Sequence, residues 1–332
     1  MVSSRQPAGG HDSQGAQMKS LAGKVALVAG ATRGAGRGIA RMLGEAGATV
    51  FCTGRSSRGQ ANTSGHHHAG RPETIEETAE MVDAAGGIGI PVRVDHTVEA
   101  EVVELFKRVK REQKRLDVLV NVLTGTPVTS WSPFWKQSLA DGRAMFDAWV
   151  WPHVATCRYA VPLMIASKGR LIVEIVEQET IGFHGQFFFD LFEASLKRIA
   201  YALAEELASH GVAALAITPG FMRTEAILDQ FGVTESNWRD AAERNAEAKR
   251  FGFVNSETPC FVGRAVAALA ADPAVARWSG GVTSSWRLSE TYGFTDLDGT
   301  RPNIWPAVAE KLTGSADEPR ATVQWQLSRA SC

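Results

Sequence analysis

The 332-residue chain sets 35 Lys and Arg against 36 Asp and Glu, for a formal net charge of −1, and it is 44% hydrophobic. That balance is ordinary for a globular protein and gives no field for nucleic acid, and no dense Lys/Arg run supplies a local one. No apolar run reaches the roughly 18–20 residues that span a bilayer. Cys52, Cys157, Cys260 and Cys332 are scattered without a Cys-x-x-Cys pair, so they read as free thiols in a reducing, cytoplasmic setting.

Residues 1–20 are rich in Gly, Ser and Gln and lack an apolar core, so they read as a disordered arm rather than a secretory signal. The first strand is predicted over Val25–Ala29. Residues 38–47 read as a helix with Ile39, Leu43 and Ala46 on one face, and 49–53 as a second buried strand. A long Gly/Ser/Asn/His-rich loop fills 54–72. Its His66-His67-His68 run invites a metal, but adjacent ligands in a loop rarely converge on one ion, and no metal is expected. From Pro72 a helical stretch carries Ile75, Ala79, Met81 and Val82 as an apolar stripe. Strands follow at 91–94, 118–120, 171–175 and 212–217, with an amphipathic helix at 99–114. Short apolar runs alternating with helices imply β-α-β units with right-handed crossovers. The expected fold is α/β: a single doubly wound domain over 21–289, with a parallel sheet and helices on both faces. Residues 221–258 form a polar helical insertion on the substrate side, and 290–332 form a C-terminal extension.

After the first strand comes Gly30-Ala31-Thr32-Arg33-Gly34-Ala35-Gly36-Arg37-Gly38. Gly30, Gly34 and Gly36 let a backbone turn tightly and approach a pyrophosphate at a helix N-terminus, with Thr32 and Arg33 inside the turn. Such a loop is a weak signal alone and a strong one between a strand and a helix. The second strand ends Thr53-Gly54-Arg55, where an acidic residue would bind a ribose 2′-hydroxyl. The nearby charges are instead Arg33, Arg55 and Arg58. A guanidinium suits a 2′-phosphate, so NADP(H) is expected over NAD(H), with Arg58 read as a solvated loop charge.

In order and spacing these motifs resemble the short-chain dehydrogenase/reductase family, from about Lys24 to Trp286. The resemblance implies a Rossmann-type fold and adds site residues. Asp95 matches the family's aspartate beside the adenine. Asn121 matches the first residue of its Asn-Asn-Ala-Gly, although Val122-Leu123-Thr124 follows here. Pro219-Gly220 with Thr224 resembles the segment bordering the nicotinamide amide. The family's catalytic Tyr-x-x-x-Lys falls on Phe189 and Glu193, its Ser on Val176 or Glu177, and its Asn near Trp149. Tyr201 lies 12 residues past Phe189, about 18 Å along a helix, and cannot substitute. Lys197 reads as an i,i+4 surface partner of Glu193.

Phe cannot donate a proton, and general acid help is worth about 10²–10⁴ in rate, so ordinary ketone reduction should be slow. Glu174, Glu177, Glu179 and Glu193 bracket the region with His184 between them. Among Phe183, Phe187, Phe188 and Phe189 their carboxyls would be pushed upward by desolvation, or they are simply solvated loop charges. The expectation is an NADP(H)-dependent reductase of a C=N or activated C=C acceptor. Two alternatives stay open: a non-redox cyclase, dehydratase or isomerase using Glu177, Glu193 or His184, and a catalytically dead NADP(H)-binding pseudoenzyme or partner subunit. Trp131, Trp135, Trp149 and Trp151 suggest a bulky or aromatic small-molecule substrate, or core packing. The resemblance further implies a homodimer or homotetramer, joined through long helices over 140–167 and 187–209.

Overall fold

The structure, a computed structural model, describes residues 19–60, 70–124, 132–177 and 186–306. The His66-His67-His68 run, Trp131, Glu179, Phe183 and His184 lie outside them. In chain order the elements are β1 (Val25–Ala29), α1 (Gly34–Glu45), β2 (Thr49–Gly54), α2 (Ile75–Ala84), β3 (Ile88–Arg93), α3 (Glu99–Gln113) and β4 (Val118–Asn121). Then come α4 (Leu139–Trp149), α5 (Trp151–Ser167), β5 (Leu171–Ile175), α6 (Phe187–Leu207) and β6 (Ala213–Thr218). The chain continues through α7 (Glu225–Gln230), α8 (Trp238–Arg244), α9 (Ala246–Phe251), α10 (Pro259–Ala271), β7 (Val282–Ser284) and α11 (Ser285–Tyr292).

All strands pair in parallel, in the order β3-β2-β1-β4-β5-β6-β7. Both faces are covered, so the inner strands are continuous apolar runs rather than alternating ones. Their side chains still divide with period two. Ala26, Val28, Val50, Val118 and Val120 pack on α1, α2 and α10, while Leu27, Phe51 and Leu119 pack on α3, α5 and α6. The α1–α10 crossing needs glycine: a Cβ on Gly38 would lie 2.1 Å from the Pro259 carbonyl oxygen.

Departures from the sequence expectations have local causes. β3 starts three residues early and contains Pro91, tolerated because β3 is the sheet edge. The helix expected over 140–167 is two, joined at Val150, with Pro152 in the first turn of α5. β7 has only three residues, too few to show a period, and is held by pairing with β6. Residues 221–258 hold α7 to α9 around Trp238 and Phe253. The segment beyond α11 folds back, where buried Asp296 accepts from the Thr258 N–H at 2.8 Å. Cys52, Cys157 and Cys260 are buried free thiols. Among the described residues no helix is long and apolar enough to cross a membrane.

Candidate active site

A cleft of about 400 Å³ opens at the C-terminal edge of the sheet, where the strand order reverses between β1 and β4. Open α/β sheets place ligands at this switch point. One half is built by the turns after β1, β2 and β3, with Gly30, Thr32, Arg33, Gly34, Arg55 and Asp95 on its wall. Gly30 has φ of +89°, and a Cβ there would strike the Val122 carbonyl oxygen at 2.3 Å. Gly36 is needed where α1 leaves the turn, since its Cβ would lie 2.1 Å from the Gly30 carbonyl oxygen. It shapes the loop rather than the wall.

The donors suit an anionic dinucleotide. The Gly34 N–H at the start of α1 already holds a carboxylate, donating to Glu225 Oε2 at 2.9 Å. Such N–H groups attract anions. Arg55 lines the cleft, and Arg33 bonds Glu73 through Nε at 3.1 Å while its Nη2 reaches Ser56 Oγ at 3.4 Å. Burial lowers the Arg33 pKa, against the pull of Glu73. Arg71 holds the other side of Glu73 and reaches Asp229 on α7 at 2.8 Å. Asp95 Oδ1 is engaged by the Thr97 N–H and hydroxyl at 3.0 and 2.7 Å. Arg58 is exposed and pairs with Glu80 at 2.7 Å.

The other half comes from the turns after β4, β5 and β6, with Val122, Leu123, Glu177, Pro219 and Thr224, and from Trp149, Phe192 and Glu193 on the helices. Glu193 carries the chemistry. It is 3% exposed, and its Oε2 accepts the Glu177 N–H at 2.8 Å. Burial pushes its carboxyl up to about 7, only partly offset by that hydrogen bond. Trp149 meets Phe192 edge-to-face at 4.6 Å and Phe189 at 5.8 Å.

Several expected site residues sit elsewhere. Asn121 is fully buried below the cleft, donating from Nδ2 to Glu174 Oε1 at 2.8 Å. It is the last residue of β4, and the strand's pleat aims it inward. Glu174 is likewise buried, 2.5 Å from His153 Nδ1, and is neither a loop charge nor a cleft wall. Phe189 packs on Trp149 behind the wall; Phe187 is exposed, and Phe188 packs over Gly142. Trp135 and Trp151 are also exposed, so Trp149 alone of the described tryptophans in that set faces the cleft. Lys197 is not a surface residue but 8% exposed, one turn below Glu193, and burial lowers its pKa. Gly220 is not on the wall; its N–H donates to Glu257 Oε2 at 2.9 Å.

Three acids and a histidine of this region carried no sequence signal as a set. Glu225 reaches Gly34 only because α7 folds back over α1. Glu257 lies beneath the Pro219-Gly220 turn, also accepts from Ser285 Oγ at 2.7 Å, and is pushed by burial up to about 8. Glu174 and His153 meet across β5 and α5. The one legible hint was that His153 and Cys157 share a helix face four residues apart.

The short chain dehydrogenase family model matches residues 24–230, which hold both halves of this cleft. The chain is 33% identical over 284 residues to dehydrogenase/reductase SDR family member 1 of Mus musculus, covering 84% of this chain and 85% of that one. It is 30% identical over 208 residues to 3-oxoacyl-[acyl-carrier-protein] reductase FabG of Aquifex aeolicus, covering 62% and 76%. A solved short chain dehydrogenase from Mycobacterium thermoresistibile superimposes with a TM-score of 0.67 at 19% identity, over 91% of this chain and 98% of that chain. Proteins of this kind bind nicotinamide cofactors. With its glycine turn, parallel sheet and switch-point cleft, the chain belongs to the short-chain dehydrogenase/reductase family.

Proposed function

We propose that this protein is an NADP(H)-dependent reductase of a C=N or activated C=C substrate in which Glu193 replaces the family's phenol as proton donor. The reading places Phe189 and Glu193 at the family's Tyr and Lys positions, both in the first two turns of α6. The observation that carries it is the Glu193 carboxyl on the cleft wall, raised by burial to about 7. A carboxylic acid tuned this way is protonated in a useful fraction near neutrality and is a competent general acid. Gly30, Gly34, Arg33 and Arg55 would hold the cofactor, and the two guanidiniums favour a 2′-phosphate.

Bound reduced cofactor would supply a hydride. The chain's own residues govern the proton. Protonated Glu193 gives its proton to an imine nitrogen, the C=N becomes an iminium, and the resulting carboxylate faces that cation. The Glu177 N–H steadies the carboxylate through the exchange. A ketone oxygen is far less basic than an imine nitrogen and would not take this proton before hydride arrives, so it is the poorer match. The Trp149–Phe192 wall suits a bulky or aromatic substrate. A homodimer or homotetramer would join along α4 to α6, where Trp151 and Leu191 are exposed; light scattering on the purified protein tests this, and a monomer at micromolar concentration would oppose it.

The test is NADPH oxidation with matched cyclic imines, activated alkenes and ketones. Turnover of imines or alkenes well above ketones is expected, with NADPH bound more tightly than NADH. Brisk ketone reduction would overturn the reading. Cofactor binding with no hydride transfer to any acceptor would favour a non-redox enzyme or a binding subunit.

A further inference from the structure

We propose that His153 is a positioning residue, held as an imidazolium beneath the cleft, which ties Glu174 to the Leu123 carbonyl and so sets the Val122-Leu123-Thr124 wall. The consequence for cofactor binding rests on the nicotinamide reading above; the state of the ring does not.

The geometry of the ring nitrogens makes the case. Nδ1 lies 2.5 Å from Glu174 Oε2 and Nε2 lies 3.0 Å from the Leu123 carbonyl oxygen. A neutral imidazole has one N–H and one lone pair. With both neighbours acceptors, that lone pair would face an oxygen; a ring with two N–H groups satisfies both. The other Glu174 oxygen is occupied by donors, Asn121 Nδ2 at 2.8 Å and the Cys157 thiol at 3.6 Å. His153, Asn121 and Glu174 are all fully buried, and a buried charge persists only when paired and hydrogen-bonded. Asn121 Oδ1 is the one side-chain oxygen of the group without a partner among the described residues.

A second buried histidine provides the contrast. His96 lies between two hydroxyls, Thr53 Oγ1 at 2.8 Å and Thr156 Oγ1 at 2.9 Å. The Thr53 and Thr156 hydroxyls also reach the Val28 and Pro152 carbonyls at 3.1 and 2.6 Å, and either one, turned toward the ring, donates to a neutral His96, which no carboxylate touches. Burial and the nearby His153 charge push His96 down to about 3, while the Glu174 charge raises His153 against its own burial. The titratable groups acting on His153 are Glu174 on β5, His96 beyond β3 and Glu193 on α6, and the Cys157 thiol reaches the same Glu174.

The ion pair explains how the wall keeps its shape. Sequence after Asn121 departs from the family's pattern, and Leu123 is anchored by a charged donor from α5 instead. The imidazolium also stands on the Glu193 side of the site, where the family's lysine is missing, and it favours the ionised form of Glu193.

The experiment uses the full chain labelled with ¹⁵N-histidine and ¹³C-glutamate, with His153→Gln as the variant. In the wild type both His153 ring nitrogens should be protonated at neutral pH, above the ordinary imidazole range. In His153→Gln the titration midpoint of Glu193 should move upward, because Glu174 then stands without its cation. NADPH affinity should fall at least tenfold while the melting temperature shows a folded protein. A His153 ring with a single N–H at neutral pH would overturn the proposal. So would a folded variant with unmoved Glu193 titration and unchanged NADPH affinity. Wild-type protein that binds no nicotinamide cofactor would sink the functional reading instead, and the ring protonation and the Glu193 titration would still decide the role of His153.

Discussion

Glu193 acquires its chemistry from what surrounds it. On an exposed helix a glutamate titrates near 4.3 and is useless as an acid at neutrality. Beneath Trp149 and Phe192, with one N–H donor, its charged form loses water and the acid form persists. Glu193→Gln should cut imine reduction by about 10²–10⁴ while leaving NADPH affinity within a few-fold. In the wild type, turnover should fall as pH rises through about 7, because the donor is then lost; a flat rate from pH 6 to 8.5 would point to another group. The pair of changes Phe189→Tyr and Glu193→Lys should leave ketone reduction at the wild-type level, because residue 189 packs on Trp149 off the cleft wall; NADPH consumption with a ketone that the wild type ignores would show otherwise. The residues behind these predictions were nameable from sequence, since a one-helix motif has a fixed spacing. Their burial was not, and Lys197 shows why: its i,i+4 relation to Glu193 is the same on a buried face as on an exposed one.

At the scale of elements, α7 does something its own sequence does not reveal. Its first acid, Glu225, sits on the Gly34 N–H and lies 3.7 Å from the Arg37 guanidinium, while Asp229 holds Arg71. Two carboxylates of one short helix thus rest on groups that would attract phosphates. An anion at a helix N-terminus is worth about 0.3–1 kcal/mol. Removing the Glu225 charge should therefore tighten NADPH binding by about two- to fivefold. Fluorescence titration of Glu225→Gln checks this, and weaker binding would mean that Glu225 supports the turn rather than competes for it. The elements themselves were largely legible: the buried strands read as short apolar runs because both faces of a parallel sheet are covered. The exceptions were the break at Val150 and the three-residue β7, whose existence depends on neighbours far away in the chain.

Over the whole molecule, stability should carry the mark of an acid kept neutral. Glu257 is 1% exposed between the Gly220 N–H and the Ser285 hydroxyl, and its carboxyl is held up at about 8. The folded state then binds a proton that the unfolded chain releases above its ordinary carboxylate pKa. The sign follows: this contribution is complete at acid pH and drains away as pH rises toward 8. The melting temperature should fall over that window, and Glu257→Gln, which keeps the shape without the proton, should flatten the fall. An identical slope in the variant would remove Glu257 from the account.

Sequence alone determined the doubly wound class, the glycine turn and the family, because these rest on local periodicity and on motifs whose spacing is set by one turn or one helix. Tertiary structure alone decided which acids face the cleft. Glu174 was drawn inward to His153, Glu225 was laid on the glycine turn, Glu257 was closed under Pro219-Gly220, and only Glu193 was left on the wall as a raised acid. The reason is physical: a carboxyl's protonation depends on desolvation and on partners brought from other strands and helices, and neither is written in the order of neighbouring residues.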